Sequence, residues 1–204
     1  MRFAEVTLSA PADLRDFYGR ELGLPLDGEV IVVGETRLRF DVEEGGGAFY
    51  HFALLVPGDR FDAAHEWTSD RVEVLGGVFD SENWDSRAVY FHDPAGNIVE
   101  LIAHHGLEES GKTGDFAAEE LVGFSELGIV GDRRLLLRRL EEVGLDLWDG
   151  VLDEPNRLAF VGEKARTLIL APQGRGWVPT ERPAEPHPVE VVLDLAGVPT
   201  QLRF

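Results

Sequence analysis

Tyr90-Phe91-His92-Asp93-Pro94-Ala95-Gly96-Asn97-Ile98-Val99-Glu100-Leu101 is the stretch from which the fold of this chain can be read. Ala88–His92 and Ile98–Ala103 are apolar runs of strand length, and turn-forming residues fill the gap between them. Proline presets one backbone angle of a turn and glycine supplies a left-handed residue, so the segment predicts a tight hairpin. On its return strand Glu100 stands between Val99 and Leu101. The period-2 geometry of a strand turns that carboxylate to the face opposite its neighbours.

Working outward, Phe49–Val56 reads as a strand, Phe61–Thr68 as a short helix carrying Phe61, Ala64 and Trp67, and Val72–Leu75 as another strand. Earlier in the chain, residues 3–9 alternate, with Glu5 and Thr7 on one face and Val6 and Leu8 on the other. Asp13 can cap a helix whose Leu14, Phe17, Tyr18 and Leu22 recur at helical spacing, and Gly23 stops it. Glu29–Val33 and Arg37–Val42 read as strands, and Gly45-Gly46-Gly47 joins this unit to the next.

The pattern then recurs. Glu5-Val6-Thr7-Leu8 is answered by Glu126-Leu127-Gly128-Ile129, and Glu21-Leu22-Gly23-Leu24 by Glu142-Val143-Gly144-Leu145, both at an offset of 121. Val33-Gly34-Glu35 and Val161-Gly162-Glu163 follow at an offset of 128, which needs only a short insertion. A third unit therefore starts near Glu120, with a helix over Arg133–Val143 presenting Leu136, Leu137, Leu140 and Val143 inward. Residues 107–119 are polar and glycine-rich and read as a linker. Gly174–Pro188 reads as a proline-rich arm and Val189–Leu195 as a closing strand.

Composition excludes several function classes. The 204 residues contain no cysteine, which removes disulfides, thiolate zinc sites, iron–sulfur clusters and thiol nucleophiles and fits a reducing cytoplasm. Against 38 acidic residues stand 19 basic ones, a formal net charge of −19. Residues 1–106 carry −12 of it and residues 107–204 carry −7. Such a surface repels phosphate backbones and anionic lipid, so neither nucleic acid nor membrane is expected as a partner. No apolar run reaches the ~20 residues of a membrane span, and the N-terminus lacks the apolar stretch of a secretory signal. No phosphate-cradling glycine loop and no Gly-x-Ser-x-Gly elbow is present.

Three polar residues stand inside strongly apolar strands: Glu5, His51 between Tyr50 and Phe52, and Glu100. Together they suggest a common lining. The segments Glu5-Val6-Thr7-Leu8, Asp16-Phe17-Tyr18 with Leu22-Gly23-Leu24, His51-Phe52-Ala53, and Tyr90 to Leu101 resemble the vicinal oxygen chelate superfamily. That group includes glyoxalase I, extradiol dioxygenases, fosfomycin-resistance enzymes and bleomycin-resistance proteins. The resemblance covers residues 1–106 and, more weakly, residues 120–204. It implies an α+β fold of βαβββ modules paired around a cleft. Residues 1–106 would hold two of them, and a third, diverged module would follow the linker.

The resemblance also implies a metal site, with ligands Glu5, His51 and Glu100. Glu5 stands where relatives commonly carry His or Gln. One imidazole and two carboxylates would neutralise a divalent cation such as Zn, Mn, Ni or Fe. They also depart from the two-His, one-carboxylate set of oxygen-activating iron, which lowers a ring-cleaving dioxygenase in the ranking. Glu5 or Glu100 could serve as a general base, and Tyr90 matches a substrate-contacting tyrosine of fosfomycin-resistance relatives. Trp84 falls in a loop that can close over the cleft, whereas His65, His92, His104 and His105 are expected at the surface. In unit three Glu126 matches Glu5 and Glu190 echoes Glu100, but nothing matches His51, so no second metal site is expected.

The leading expectation is a metal-dependent glyoxalase-like lyase, isomerase or transferase acting on a small oxygen-bearing molecule. The alternatives are a metal-free binding protein for an antibiotic or aromatic ligand, as bleomycin-resistance proteins are, and a ring-cleaving dioxygenase. An odd third module exposes an edge, which predicts either a homodimer through unit three or packing against its own chain.

Overall fold

The computed structural model describes residues 1–204. Unit one runs through β1 (Arg2–Ala10), a short helical turn, β2 (Leu26–Asp27), β3 (Val30–Val33) and β4 (Thr36–Val42). The turn, Phe17–Glu21, is wider than an α-helix: the Leu22 amide reaches back five residues to the Phe17 carbonyl. Unit two comprises β5 (His51–Val56), α1 (Phe61–Ser69), β6 (Val74–Ser81), β7 (Ser86–His92) and β8 (Ile98–His104). Unit three repeats the order with β9 (Gly123–Val130), α2 (Arg133–Glu141), β10 (Leu147–Gly150), β11 (Ala159–Glu163) and β12 (Arg166–Ala171). An arm then carries the two-residue strands β13 (Gly176–Trp177) and β14 (Arg182–Pro183). The chain closes with a hairpin, β15 (Val189–Leu195) and β16 (Val198–Arg203), of which the sequence revealed only the first strand.

The α+β architecture holds, but the modules are paired differently from the expectation. Units two and three share one eight-stranded sheet in the order β10-β11-β12-β9-β5-β8-β7-β6. Its seam is the antiparallel pair of first strands, Phe52 opposite Leu127 and Ala53 opposite Glu126. Unit one lies in a separate six-stranded sheet, β16-β15-β1-β4-β3-β2, where β15 runs antiparallel beside β1 as β9 does beside β5. Unit three thus has a partner in its own chain, and the open edge expected to recruit a second chain is absent at β9. The boundary expected at residues 107–119 does not separate the sheets either. That segment is tied down: Arg60 donates to the Gly114 and Asp115 carbonyls and to the Glu120 carboxylate at 2.9 Å, and Phe116 packs on Trp67.

Alternation then assigns faces. On the eight-stranded sheet Phe52, Leu54, Val89, Phe91, Val99 and Leu101 join the main core with Phe61 and Trp67 of α1 and Leu136 and Leu140 of α2. The six-stranded sheet adds Phe3, Val6 and Leu8 to that core, and Phe124 touches both Phe3 and Phe52. The opposite face of the eight-stranded sheet carries Ala53, Ala88, Tyr90, Ile98, Ile102 and Ile169 around a cleft.

The hairpin turn that decides the fold is a buried polar knot. Gly96 takes φ +79°, and the Asp93 carboxylate accepts from the Ala95 and Asn97 amides at 3.0 Å. Tyr18 of unit one donates its hydroxyl to Asp93 at 2.8 Å, and Asn97 both donates to Asp93 and accepts from the Tyr50 amide. The knot fixes the register that sets Tyr90 opposite Glu100. Asn97→Ala strands these buried partners and is expected to cost about 2 kcal/mol, measured by urea unfolding.

Candidate functional site

His51 opens β5, Glu100 lies mid-strand in β8 and Glu126 lies in β9, all on the cleft face. One donor atom from each falls within 4.8 Å of the other two, a grouping that could hold a metal ion. All three side chains are buried, at 6%, 3% and 5% exposure. The sequence expectation thus brought together two of the residues the structure converges, His51 and Glu100. Glu5 is not among them: it is exposed on β1, in the other sheet, opposite Arg37 and Val192. The position assigned to Glu5 is taken by its repeat counterpart Glu126, because β9 rather than β1 pairs with β5.

Register also explains why there are three such groups and not four. His51 faces Ile98 across β5 and β8, as Glu126 faces Thr167 across β9 and β12. Two residues further on, Ala53 faces Glu100 but Gly128 faces Ile169. The counterpart of Glu100 in unit three is therefore an isoleucine, and that corner of the cleft is apolar.

The electrostatics of the trio fit a cation. His51 Nδ1 lies 3.2 Å from the Ile98 carbonyl, which can only accept, so the ring proton sits there. Nε2 then turns its lone pair toward Glu100 Oε2 at 3.5 Å. Burial pushes the imidazole down to about 4, with the nearby Arg175 charge in the same direction, so this contact is not an ion pair at neutral pH. Burial and the adjacent Glu126 charge hold the Glu100 carboxyl well above its usual range, although the Tyr90 hydroxyl opposes them. Burial alone pushes Glu126 up to about 8. Two carboxylates and an imidazole lone pair facing one another repel unless a proton or a cation lies between them. A divalent ion would neutralise the two charges and take the lone pair, with His51 oriented by its backbone bond.

The surrounding cleft, about 240 Å³, is mostly apolar. Tyr90 lines it, and burial beside Glu100 keeps its phenol protonated across the working pH range. Trp177 of the arm packs against the His51 ring at 4.9 Å between centroids. It can approach because Gly128 has no side chain: a Cβ there would meet Trp177 at 2.9 Å and the His51 carbonyl at 3.0 Å. Gly128→Ala is expected to displace the indole, shift its fluorescence and cost about 1–3 kcal/mol in thermal unfolding.

Trp84 closes one end of the cleft as a fixed post. Its indole donates to Asp149 at 2.7 Å and packs on Trp148 and Phe160, joining the rims of units two and three. His104, expected in solvent, is fully buried near Trp84, and its Nε2 has no hydrogen-bond partner. The parity it shares with Glu100 was the signal for burial on the cleft side.

No family model matches the sequence, and no curated protein matches it. Among solved structures, the chain is similar to a "putative dioxygenase" from Bacillus subtilis at 18% identity, with a TM-score of 0.58 over 84% of this chain and 63% of that one. It is similar to glyoxalase I from Zea mays at 16% identity, with a TM-score of 0.55 over 84% of this chain and 66% of that one. The chain thus spans just under two thirds of the length of either. At these identities the likeness establishes the fold: βαβββ modules in a glyoxalase-like arrangement. No helix is long and apolar enough to cross a membrane.

Proposed function

We propose that this chain, which has the fold of the vicinal oxygen chelate superfamily, is a metal-dependent lyase, isomerase or transferase acting on a small oxygen-bearing molecule. The observation that carries the reading is the convergence of His51, Glu100 and Glu126 at the floor of an apolar cleft. These three would hold Zn, Mn, Ni or Fe. A divalent cation with only three protein ligands supplies a Lewis acid with room for substrate oxygen, favouring negative charge on that oxygen.

The protein's own groups have defined tasks. His51 stays neutral, positioned by Ile98, and presents Nε2 to the site. A carboxylate oxygen of Glu126 not engaged with the cation can take a proton from substrate and return it. Tyr90 keeps its phenolic proton and can donate it in a hydrogen bond to a substrate oxygen beside Glu100. Trp177 covers His51 and keeps bulk water from that side. One imidazole and two carboxylates still depart from the donor set of oxygen-activating iron, so ring cleavage ranks behind.

The test is elemental analysis of protein purified without chelator. About one equivalent of a transition metal or zinc per chain, lost on dialysis against EDTA and regained on addition, supports the proposal. Metal-free protein that takes up no divalent cation at micromolar concentration would leave a binding protein with the same fold.

A further inference from the structure

The arm supplies the cleft with a cation that makes no ion pair. Arg175 lines the cavity together with His51, Glu100, Glu126 and Trp177. Its guanidinium makes a single hydrogen bond, to the Gly176 carbonyl at 2.7 Å, which leaves most of its donors free. Half-burial lowers its proton affinity, and the charge of Glu181 reaches it only through space. Elsewhere in this acidic chain the inward-turned arginines have charge or carbonyl partners: Arg60 has Glu120, Arg133 five carbonyls, and Arg166 both Glu35 and Glu108, although the Arg166 Nε is left without one.

The arm that presents Arg175 is braced. The Ala184 amide donates to the Arg175 carbonyl at 2.7 Å, and Arg182 lies over the Phe49 ring at 3.4 Å while donating to the Gly96 carbonyl. Trp177, two residues on, is locked over Gly128. The guanidinium is therefore carried by a fixed segment.

We infer that Arg175 is the recognition residue for an anionic oxygen group and that the cleft takes a small organic monocarboxylate with an aromatic or branched apolar body. This deepens the preceding proposal by naming a substrate class, and it rests on that proposal for the charge balance. Glu100 and Glu126 together neutralise a divalent ion, and Asp80, the third carboxylate of the lining, is exposed and pairs with Arg87 at 3.5 Å, so the loaded site keeps the positive charge of Arg175. A half-buried charge without a counterion is costly, and a ligand carboxylate supplies the counterion in the planar geometry a guanidinium favours. The apolar walls formed by Phe79, Phe160, Ile169 and Trp177 account for the body. The cavity lies below the usual ~300–1,000 Å³ of ligand sites, which limits that body to about one ring.

The experiment compares phenylacetate with its neutral isostere phenylacetamide by calorimetric titration, in EDTA-treated and in zinc-loaded protein. Wild type is expected to hold phenylacetate about tenfold tighter than the amide, the worth of one charge-assisted pair. Arg175→Gln is expected to bring the two ligands within about twofold in a protein that still takes up zinc and still unfolds cooperatively, and Arg175→Lys to keep part of the preference. A preference that survives Arg175→Gln, or wild type that binds neither probe at millimolar concentration, overturns the assignment. Zinc titration of the same samples separates the two proposals. Charge preference without zinc uptake would retain Arg175 and remove the metal, and zinc uptake without charge preference would do the reverse.

Discussion

Glu126→Gln is expected to lower zinc affinity on the order of 100-fold or more, and Glu5→Gln to leave it unchanged. Losing a group that merely supports a ligand costs ~10–100-fold in metal affinity, so losing a ligand itself costs at least that. The comparison discriminates because the two glutamates occupy equivalent places in the repeat, at an offset of 121. Only Glu126 faces Glu100 and His51 from a neighbouring strand; Glu5 lies exposed in the other sheet. Competition titration with a chromophoric chelator reads both affinities directly. Turnover should follow the same order once a substrate is in hand.

The same substitution is expected to act with opposite sign on the metal-free protein. Glu126 titrates near 4.5 when unfolded and near 8 when folded. A carboxyl whose folded value is raised keeps its full stability below pH 4.5 and loses it as the pH rises toward 8. His51 runs the other way: its folded value of about 4 lies below 6.5, so its contribution is complete above pH 6.5 and is lost as the pH falls. The two effects oppose one another between pH 4.5 and 6.5. Above pH 6.5 only the carboxylates change, and Glu126 alone should cost the metal-free protein on the order of 2 kcal/mol by pH 8.5, roughly 4–8 °C in melting temperature, with Glu100 acting in the same direction. Glu126→Gln removes its share of that fall, so the metal-free variant should melt above metal-free wild type at pH 8. Zinc should flatten the wild-type profile and act on that of the variant only at much higher concentration. Differential scanning fluorimetry from pH 5.5 to 8.5 with EDTA or zinc checks all of this.

The hairpin, the three-unit repeat and two members of the trio were legible because each is a local pattern. Asp93 to Asn97 forms its turn with its own side chains, and His51 and Glu100 stand out against apolar neighbours within their strands. Module pairing was not legible in that way. It depends on which first strand lies beside β5, and Glu5 and Glu126 look alike at their repeat positions. A discriminating signal was nevertheless present. Strands β1 and β4 interleave Arg2, Glu5, Arg37, Arg39 and Asp41, as strands with one solvated face do, whereas Phe124–Val130 and Thr167–Ala171 carry no charge except Glu126. A lone carboxylate in a strand buried on both faces has no solvent to explain it; Glu5, among charged neighbours, does. Arg175 could not have been placed from sequence, because its position depends on how the arm folds back over Gly128 and Phe49.

The most direct test is an anomalous difference map from a crystal grown with zinc, with data collected on both sides of the zinc absorption edge. The account predicts one strong peak per chain at bonding distance from His51 Nε2 and from a carboxylate oxygen of both Glu100 and Glu126, with none near Glu5. A map empty at that point, or a peak bound by other side chains, would contradict it.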